Sequence, residues 1–293
     1  MSKMTLREFH ERFPDEEACR AHLVETRQKL GLSCRNCGCQ RLYYIKNWQV
    51  FRCPDCLTDL RLKSGTVMQN SKLPLTYWYT AIYLLSHSKK PISALELQGL
   101  LGHRGYGPIW ALMKKLRTAM GNREGLYRLG GRVELDEAFF TATREVFKVA
   151  KRGNGTDKMN VVVMAQTSKA APADPQQEGT AVRFVRMKVL EDSTRESIGQ
   201  TVREMVEPRA RVVSDANPKY QLGEAVQEHV RHVVGADREL LAREFKWVHT
   251  LISNAKRSLL GIHHSVSVQH LQDYLDEFCY RFNRRAFHDP FAT

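Results

Sequence analysis

Four cysteines in two close pairs constrain this chain more than any other feature. Cys34-Arg-Asn-Cys37 and Cys53-Pro-Asp-Cys56 each leave two residues between thiols, on either side of a stretch holding Tyr43, Tyr44 and Trp48. A two-residue knuckle lets backbone amides point at both sulfurs, and four thiolates then close a tetrahedral shell around Zn²⁺. The pattern predicts a structural zinc ribbon over residues 31–65, with Gln49, Phe51 and Arg52 leading into the second knuckle in strand-like alternation. Redox dithiols are the other use of such pairs. Cys39 is near enough to substitute as a ligand, but its one-residue offset from Cys37 suits a tetrahedron poorly. Cys19 and Cys279 fall in helical patterns and are expected in cores. Seven cysteines, an odd number, do not read as a secreted disulfide framework.

Charge narrows the partners. Lys and Arg number 45 against 32 Asp and Glu, a formal net charge of +13. Such a surface attracts phosphate backbones or anionic lipid, and no lipidation signal or basic amphipathic anchor is evident. Double-stranded DNA is the expected partner. No run approaches the roughly 18 apolar residues of a membrane span. The first ten residues lack the apolar core of a signal peptide. A cytoplasmic protein, neither secreted nor membrane-inserted, is expected.

At about 100–200 residues per domain, 293 residues allow more than one domain. Residues 1–30 read as a helical segment of two short helices broken near Pro14. After the ribbon, residues 66–128 are helical: Tyr77 to Ser86, then a helix capped by Ser93 that would bury Leu95, Leu97, Leu100 and Leu101, then Ile109 to Met120. Gly102-His103-Arg104-Gly105 is the turn between the last two. Lys114, Lys115 and Arg117 make the third helix basic, as in a helix-turn-helix, though an ordinary helical packing unit fits equally.

The remainder, residues 129–293, alternates strands and helices in the order β-β-β-α-β-(α)-β-α-α. Val133 to Phe139, Val161 to Ala165, Ala181 to Met187, Arg211 to Ser214 and Val230 to Val234 are the strands. Ser193 to Glu207 is a helix capped by Asp192 or Ser193. Lys151 to Asn160 reads as a polar hairpin and Ser168 to Thr180 as a flexible loop. The fold class is α+β and multidomain: N-terminal helices and ribbon, a helical middle, and an α/β core with C-terminal helices.

Two acids stand out in that core. Asp136 sits mid-strand among Val133, Leu135 and Phe139, where an unpaired carboxylate is costly. Asp215 ends a Val-Val strand, and ligands of α/β sheets gather at such ends. On neighbouring strands the two would repel unless a divalent cation lay between them. Two Mg²⁺ or Mn²⁺ ions could then activate a nucleophile and stabilise a leaving oxygen in phosphoryl transfer. A turn or helix cap at Asp215-Ala216-Asn217-Pro218 is the plainer alternative.

Several segments together resemble bacterial insertion-sequence transposases of the zinc-ribbon plus DDE class, the ISXO-like group. They are the ribbon, Val133-Glu134-Leu135-Asp136-Glu137, Val212-Val213-Ser214-Asp215, and the C-terminal run from His249-Thr250 through His263-His264-Ser265-Val266-Ser267 and His270 to Phe278, ending Arg281-Phe282-Asn283-Arg284-Arg285. The resemblance spans residues 5 to 285. It implies an RNase H-like catalytic core, binding to terminal inverted repeats and target DNA, assembly as a homo-oligomer on DNA, and joining of a freed 3′-hydroxyl to target. It places the first two catalytic acids at Asp136 and Asp215.

Where the family carries its third acid, counting from His249-Thr250, this chain has Asn254, a neutral ligand at the border of the stripe Val248, Leu251, Ile252, Ala255 and Leu259. Glu244 and His249 are the other candidates for that role. Lys256, Arg257, Arg284 and Arg285 join the basic helix as candidate phosphate contacts. Two further readings are a DNA-binding protein whose nuclease site has lost activity and a zinc-ribbon transcription factor.

Overall fold

The computed structural model describes residues 4–88, 90–143, 156–169, 180–233, 237–285, 289 and 291. The chain forms two units, one of residues 1–116 with 287–293 and one of residues 117–286.

The first unit begins with α1 (Leu6–Arg12) and α2 (Glu16–Lys29), on either side of Pro14. Each start is capped. Thr5 Oγ1 accepts from the Glu8 amide while Glu8 accepts from the Thr5 amide, and Asp15 accepts from the Ala18 amide at 2.8 Å. Strands β1 (Tyr43–Ile45), β2 (Val50–Arg52) and β3 (Asp59–Arg61) then form an antiparallel ribbon. Its middle strand buries Phe51, and Arg27 of α2 lies over that ring while donating to the Leu62 carbonyl at 2.6 Å.

Three helices follow: α3 (Leu75–His87), α4 (Ala94–Leu101) and α5 (Tyr106–Glu124). The Glu16 carboxylate of α2 accepts from the first amides of α3, at Leu75 (2.9 Å) and Thr76 (3.1 Å). Pro74 offers no side-chain cap, so a neighbouring helix supplies one. Helix α4 starts at Ser93 as expected but buries less than its sequence suggests. Ala94 and Leu97 are buried, whereas Leu95 and Leu100 are 68% and 62% exposed. At 3.6 residues per turn those two leucines flank the buried stripe instead of joining it.

The second unit contains β4 (Arg132–Thr143), β5 (Thr156–Lys169), β6 (Thr180–Leu190), α6 (Arg195–Met205), β7 (Arg211–Asp215), β8 (Glu228–His232), α7 (Arg238–Glu244), α8 (Lys246–His263) and α9 (Leu271–Asn283). Its five-stranded sheet runs β6-β5-β4-β7-β8. The β4–β5 and β5–β6 pairs are antiparallel, while β7 lies parallel to both β4 and β8. This is the mixed α/β core the resemblance implies. A short 3₁₀ turn at Gly223–Ala225 stands where a helix between β7 and β8 was expected. Helix α6 is capped by Thr194, whose hydroxyl accepts from the Ser197 amide at 3.2 Å; Asp192 instead accepts from the Thr194 amide. Of the expected polar hairpin, Lys151 to Asn160, residues 151–155 lie outside the described residues and 156–160 are the start of β5; the expected loop, Ser168 to Thr180, lies outside them over 170–179.

The sheet separates two apolar layers. Val133, Leu135, Val162, Met164 and Val212 face α6 residues Ile198 and Val202. Ala138, Phe140, Val161, Val163 and Val213 face Val248, Leu251, Ile252 and Ala255 of α8 and Leu271, Leu275 and Cys279 of α9. Apolar burial is worth roughly 25 cal/mol per Å², and the strand alternation sorts the sheet's residues into these two buried layers. The same alternation puts even-numbered β4 residues, Asp136 among them, on the α8 side.

Candidate active site

The β4–β7 ladder pairs Arg132 with Arg211, Val133 with Val212 and Glu134 with Val213. Carried two residues further, that register sets Asp136 beside Asp215, on the face that Val213 presents to α8. Both acids are half-buried. Burial pushes the Asp215 carboxyl above the ordinary carboxylate range; the Asn217 amide opposes this, and the Asp136 charge adds to it. Two half-buried carboxylates side by side are a setting a divalent cation relieves, and their oxygen donors suit Mg²⁺ or Mn²⁺.

The third group beside them is His249. Its Nε2 lies 3.1 Å from Asp136 Oδ2, and that carboxylate holds the imidazole above its ordinary pKa. Asn254 is half-buried at the border of the apolar stripe, five residues along α8 and roughly 140° around the helix from His249. Its Oδ1 accepts from the Arg257 guanidinium at 3.0 Å. The buried stripe of Val248, Leu251, Ile252 and Ala255 has His249 on one border and Asn254 on the other, and the His249 ring is the one seen to meet Asp136. Glu244, the other candidate, is committed elsewhere. It accepts from Arg132 at 2.8 Å and Arg243 at 3.0 Å; burial works against its ionisation, but these guanidiniums hold its carboxyl below the ordinary range.

Glu134, which the sequence reading passed over, explains where α8 begins. It is fully buried, pairs with Arg132 at 2.9 Å, and accepts from the amides of Trp247 and Val248 at 3.0 Å each. A carboxylate at a helix N-terminus satisfies orphan amides and meets the positive end of the helix dipole. A buried acid two residues before Asp136 was the available signal. On the opposite sheet face, Glu137 accepts from Asn160 at 2.5 Å, and buried Tyr220 also hydrogen-bonds to it.

The basic candidates divide sharply. Arg117 is only 2% exposed, donates to Glu277 at 2.7 Å and stacks on Tyr274, so its charge is used inside the second unit. Arg284 likewise pairs with Glu124 and stacks on Tyr280, with its side chain only 11% exposed. These two are therefore structural and not surface phosphate contacts. Lys115 donates to the Gln69 carbonyl, Lys114 lies over Trp110, and Arg285 donates to the carbonyls of Val182 and Arg183. Lys256 and Arg257 are exposed. Lys256 stands two helical turns beyond His249, on the same flank and over Phe140.

In the ribbon, the sulfurs of Cys34, Cys37, Cys53 and Cys56 all lie within 4.8 Å of one another, with Cys34–Cys56 and Cys37–Cys53 at 3.4 Å. The two knuckles share one backbone plan. Gly38 donates to the Cys34 carbonyl and Leu57 to the Cys53 carbonyl, both from left-handed conformations, φ 74° and 58°. The Thr58 hydroxyl, 3.2 Å from Cys56 Sγ, and the Thr58 amide draw that thiol down to about 6, favouring the thiolate that zinc requires. Four sulfurs converging this way fit a tetrahedral zinc site. No helix among the described residues is long and apolar enough to cross a membrane.

Two protein-family models match the chain. The transposase zinc-ribbon domain covers residues 14–59, and the ISXO2-like transposase domain covers residues 128–283. No curated protein matches it. The larger match takes in β4, β7 and α8 with Asp136, Asp215 and His249, spans more than half of the 293 residues, and follows a ribbon of the matching kind. The chain is therefore a member of the ISXO2-like transposase family.

Proposed function

We propose that the protein cleaves DNA at the ends of an insertion sequence and joins the freed 3′-hydroxyl to target DNA. The observation that carries this reading is the convergence of Asp136 and Asp215 on one sheet face with His249 3.1 Å from Asp136. Asp136, Asp215 and His249 would hold the catalytic metal, with His249 in the third position in place of Asn254. A bound divalent cation supplies nucleophile activation and charge neutralisation at the scissile phosphate. Glu134 fixes the start of α8, and so the approach of His249 to Asp136. Lys256, on the flank of α8 that His249 occupies, and Arg257, exposed on the same helix, add positive charge suited to phosphates. The ribbon, holding one structural Zn²⁺, and the helices α3–α5 would bind the terminal inverted repeats, and a homo-oligomer would bring two ends together.

The test is strand transfer by the purified protein on DNA carrying the element's own ends, with Mg²⁺ or Mn²⁺. Cleavage and joining that vanish in Asp136→Ala and Asp215→Ala, with DNA binding kept, support the reading. Specific binding by the wild type with no cleavage under either metal overturns it in favour of a binding-only descendant.

A further inference from the structure

The ribbon holds a fifth thiol that the zinc site does not use. Cys39 Sγ, Cys53 Sγ and an Asp55 carboxylate oxygen lie within 4.8 Å of one another, so Cys53 belongs to this group and to the zinc-binding four. Cys39 is half-buried and Cys53 fully buried. The Cys34 amide donates to the Cys39 carbonyl at 2.8 Å, which ties Cys39 into the first knuckle. The Arg41 amide lies 3.4 Å from Cys39 Sγ, and its guanidinium meets both that sulfur and Asp55, the latter at 3.0 Å. A partly open thiol beside a guanidinium, with a second sulfur in reach, is the setting in which thiols are selectively oxidised and resolved.

We propose that Cys39 is a peroxide-sensitive site whose oxidation withdraws Cys53 from the zinc shell. Hydrogen peroxide transfers one oxygen to the Cys39 thiol, giving a sulfenic acid and water. The Cys53 sulfur then attacks the Cys39 sulfur; the S–S bond forms, the S–O bond breaks, and the departing hydroxide takes up a proton as water. The two electrons lost by the thiols reduce the peroxide. Zinc, left with three thiolates, is held more weakly and is released, and the ribbon loses the folding energy the metal supplied. The inference rests on the zinc reading of the four-cysteine site.

The experiment uses the full-length zinc-loaded protein and its Cys39→Ser variant, whose change lies outside the four ligands. Zinc content is measured first, then release under hydrogen peroxide with a colorimetric chelator, then disulfides by peptide mapping. Without peroxide, the chelator should remove zinc from both proteins at the same rate. With peroxide, wild type should release zinc at least about fivefold faster than Cys39→Ser and show a Cys39–Cys53 disulfide. Equal release, or a first disulfide confined to Cys34, Cys37, Cys53 and Cys56, overturns the inference. Absence of zinc at the outset overturns the zinc reading instead, and the disulfide map still decides the Cys39–Cys53 step.

Discussion

The backbone amide of Val248 donates to the Glu134 carboxylate at 3.0 Å, so the strand that carries Asp136 grips α8 one residue before His249. Glu134→Ala would leave Arg132 and the amides of Trp247 and Val248 without their buried acceptor. Removing one partner of a buried charged pair typically costs about 3–5 kcal/mol. Urea unfolding of the variant should show a loss of that order, with Glu134→Gln intermediate because it keeps one acceptor oxygen. A loss below about 1 kcal/mol for the alanine variant would contradict the anchoring role.

Activity should separate His249 from Asn254. His249→Ala is expected to lower metal-dependent cleavage by about 100-fold, in the range for groups that hold or orient a metal ligand. Asn254→Ala should stay within about threefold of wild type, since its amide oxygen accepts from Arg257 while His249 meets Asp136. An imidazole nitrogen also suits Mn²⁺ better than Mg²⁺, so wild type should favour Mn²⁺ and His249→Asp should shift it toward Mg²⁺. The reverse ranking of the two alanine variants would return the third position to Asn254.

Salt dependence should distinguish surface charge from internal charge. Replacing Lys256 and Arg257 together by alanine should reduce the slope of log affinity for DNA against log salt by about 2, at roughly 0.9 per phosphate contact. Arg117→Met should leave that slope unchanged while altering stability, because Glu277 and Tyr274 already occupy the guanidinium. A slope change in Arg117→Met would show that the buried pair opens on DNA.

Asp276 on α9 gives a pH signature. Burial is the main cause that raises its carboxyl from 3.8 to about 6, against the opposing hydrogen bond from Gln272. The folded state therefore holds a proton that the unfolded chain gives up near pH 4, and stability falls as pH rises from about 4 through about 6. The gap corresponds to about 3 kcal/mol at full ionisation. Asp276→Asn should recover up to that much at pH 8 and progressively less toward pH 4, measured by urea unfolding. A gain independent of pH would point to packing instead. Gly121 on α5 belongs to the same contact, since a Cβ there would run into the Asp276 carboxylate.

Leu57 holds a left-handed conformation, φ 58°, that its counterpart Gly38 in the other knuckle adopts without strain. Leu57 is 67% exposed, so little packing is lost on replacing it. Leu57→Gly should raise the resistance of the zinc-loaded ribbon to thermal unfolding by about 1 kcal/mol. A destabilised variant would mean that the leucine side chain contributes more than its exposure implies.

Short-range patterns made much of this molecule legible. The knuckles, the Ser93 cap and the alternation of Val133, Leu135 and Val161–Ala165 each depend on neighbours in sequence, and the structure follows them. What the sequence concealed depends on partners far along the chain. Arg117 resembles any surface arginine on a basic helix until Glu277, 160 residues away, is seen beside it. Glu134 reads as one more acid in an acidic strand until α8 docks on it. His249 reads as a lesser candidate near the start of α8 until the docking of that helix sets its ring against Asp136. Spacing in sequence counts residues, whereas a site on a helix is chosen by angle.

The parallel register between β4 and β7 makes the pair Asp136 and Asp215 depend on parity. Because strand side chains alternate faces, one residue added or removed between Arg211 and Asp215 would turn the acid toward Ile198 and Val202 and away from its partner. Exchanging one buried valine there for another aliphatic residue would leave the acid where it is. Along this stretch, descendants of the gene can drift in side chain much more freely than in length.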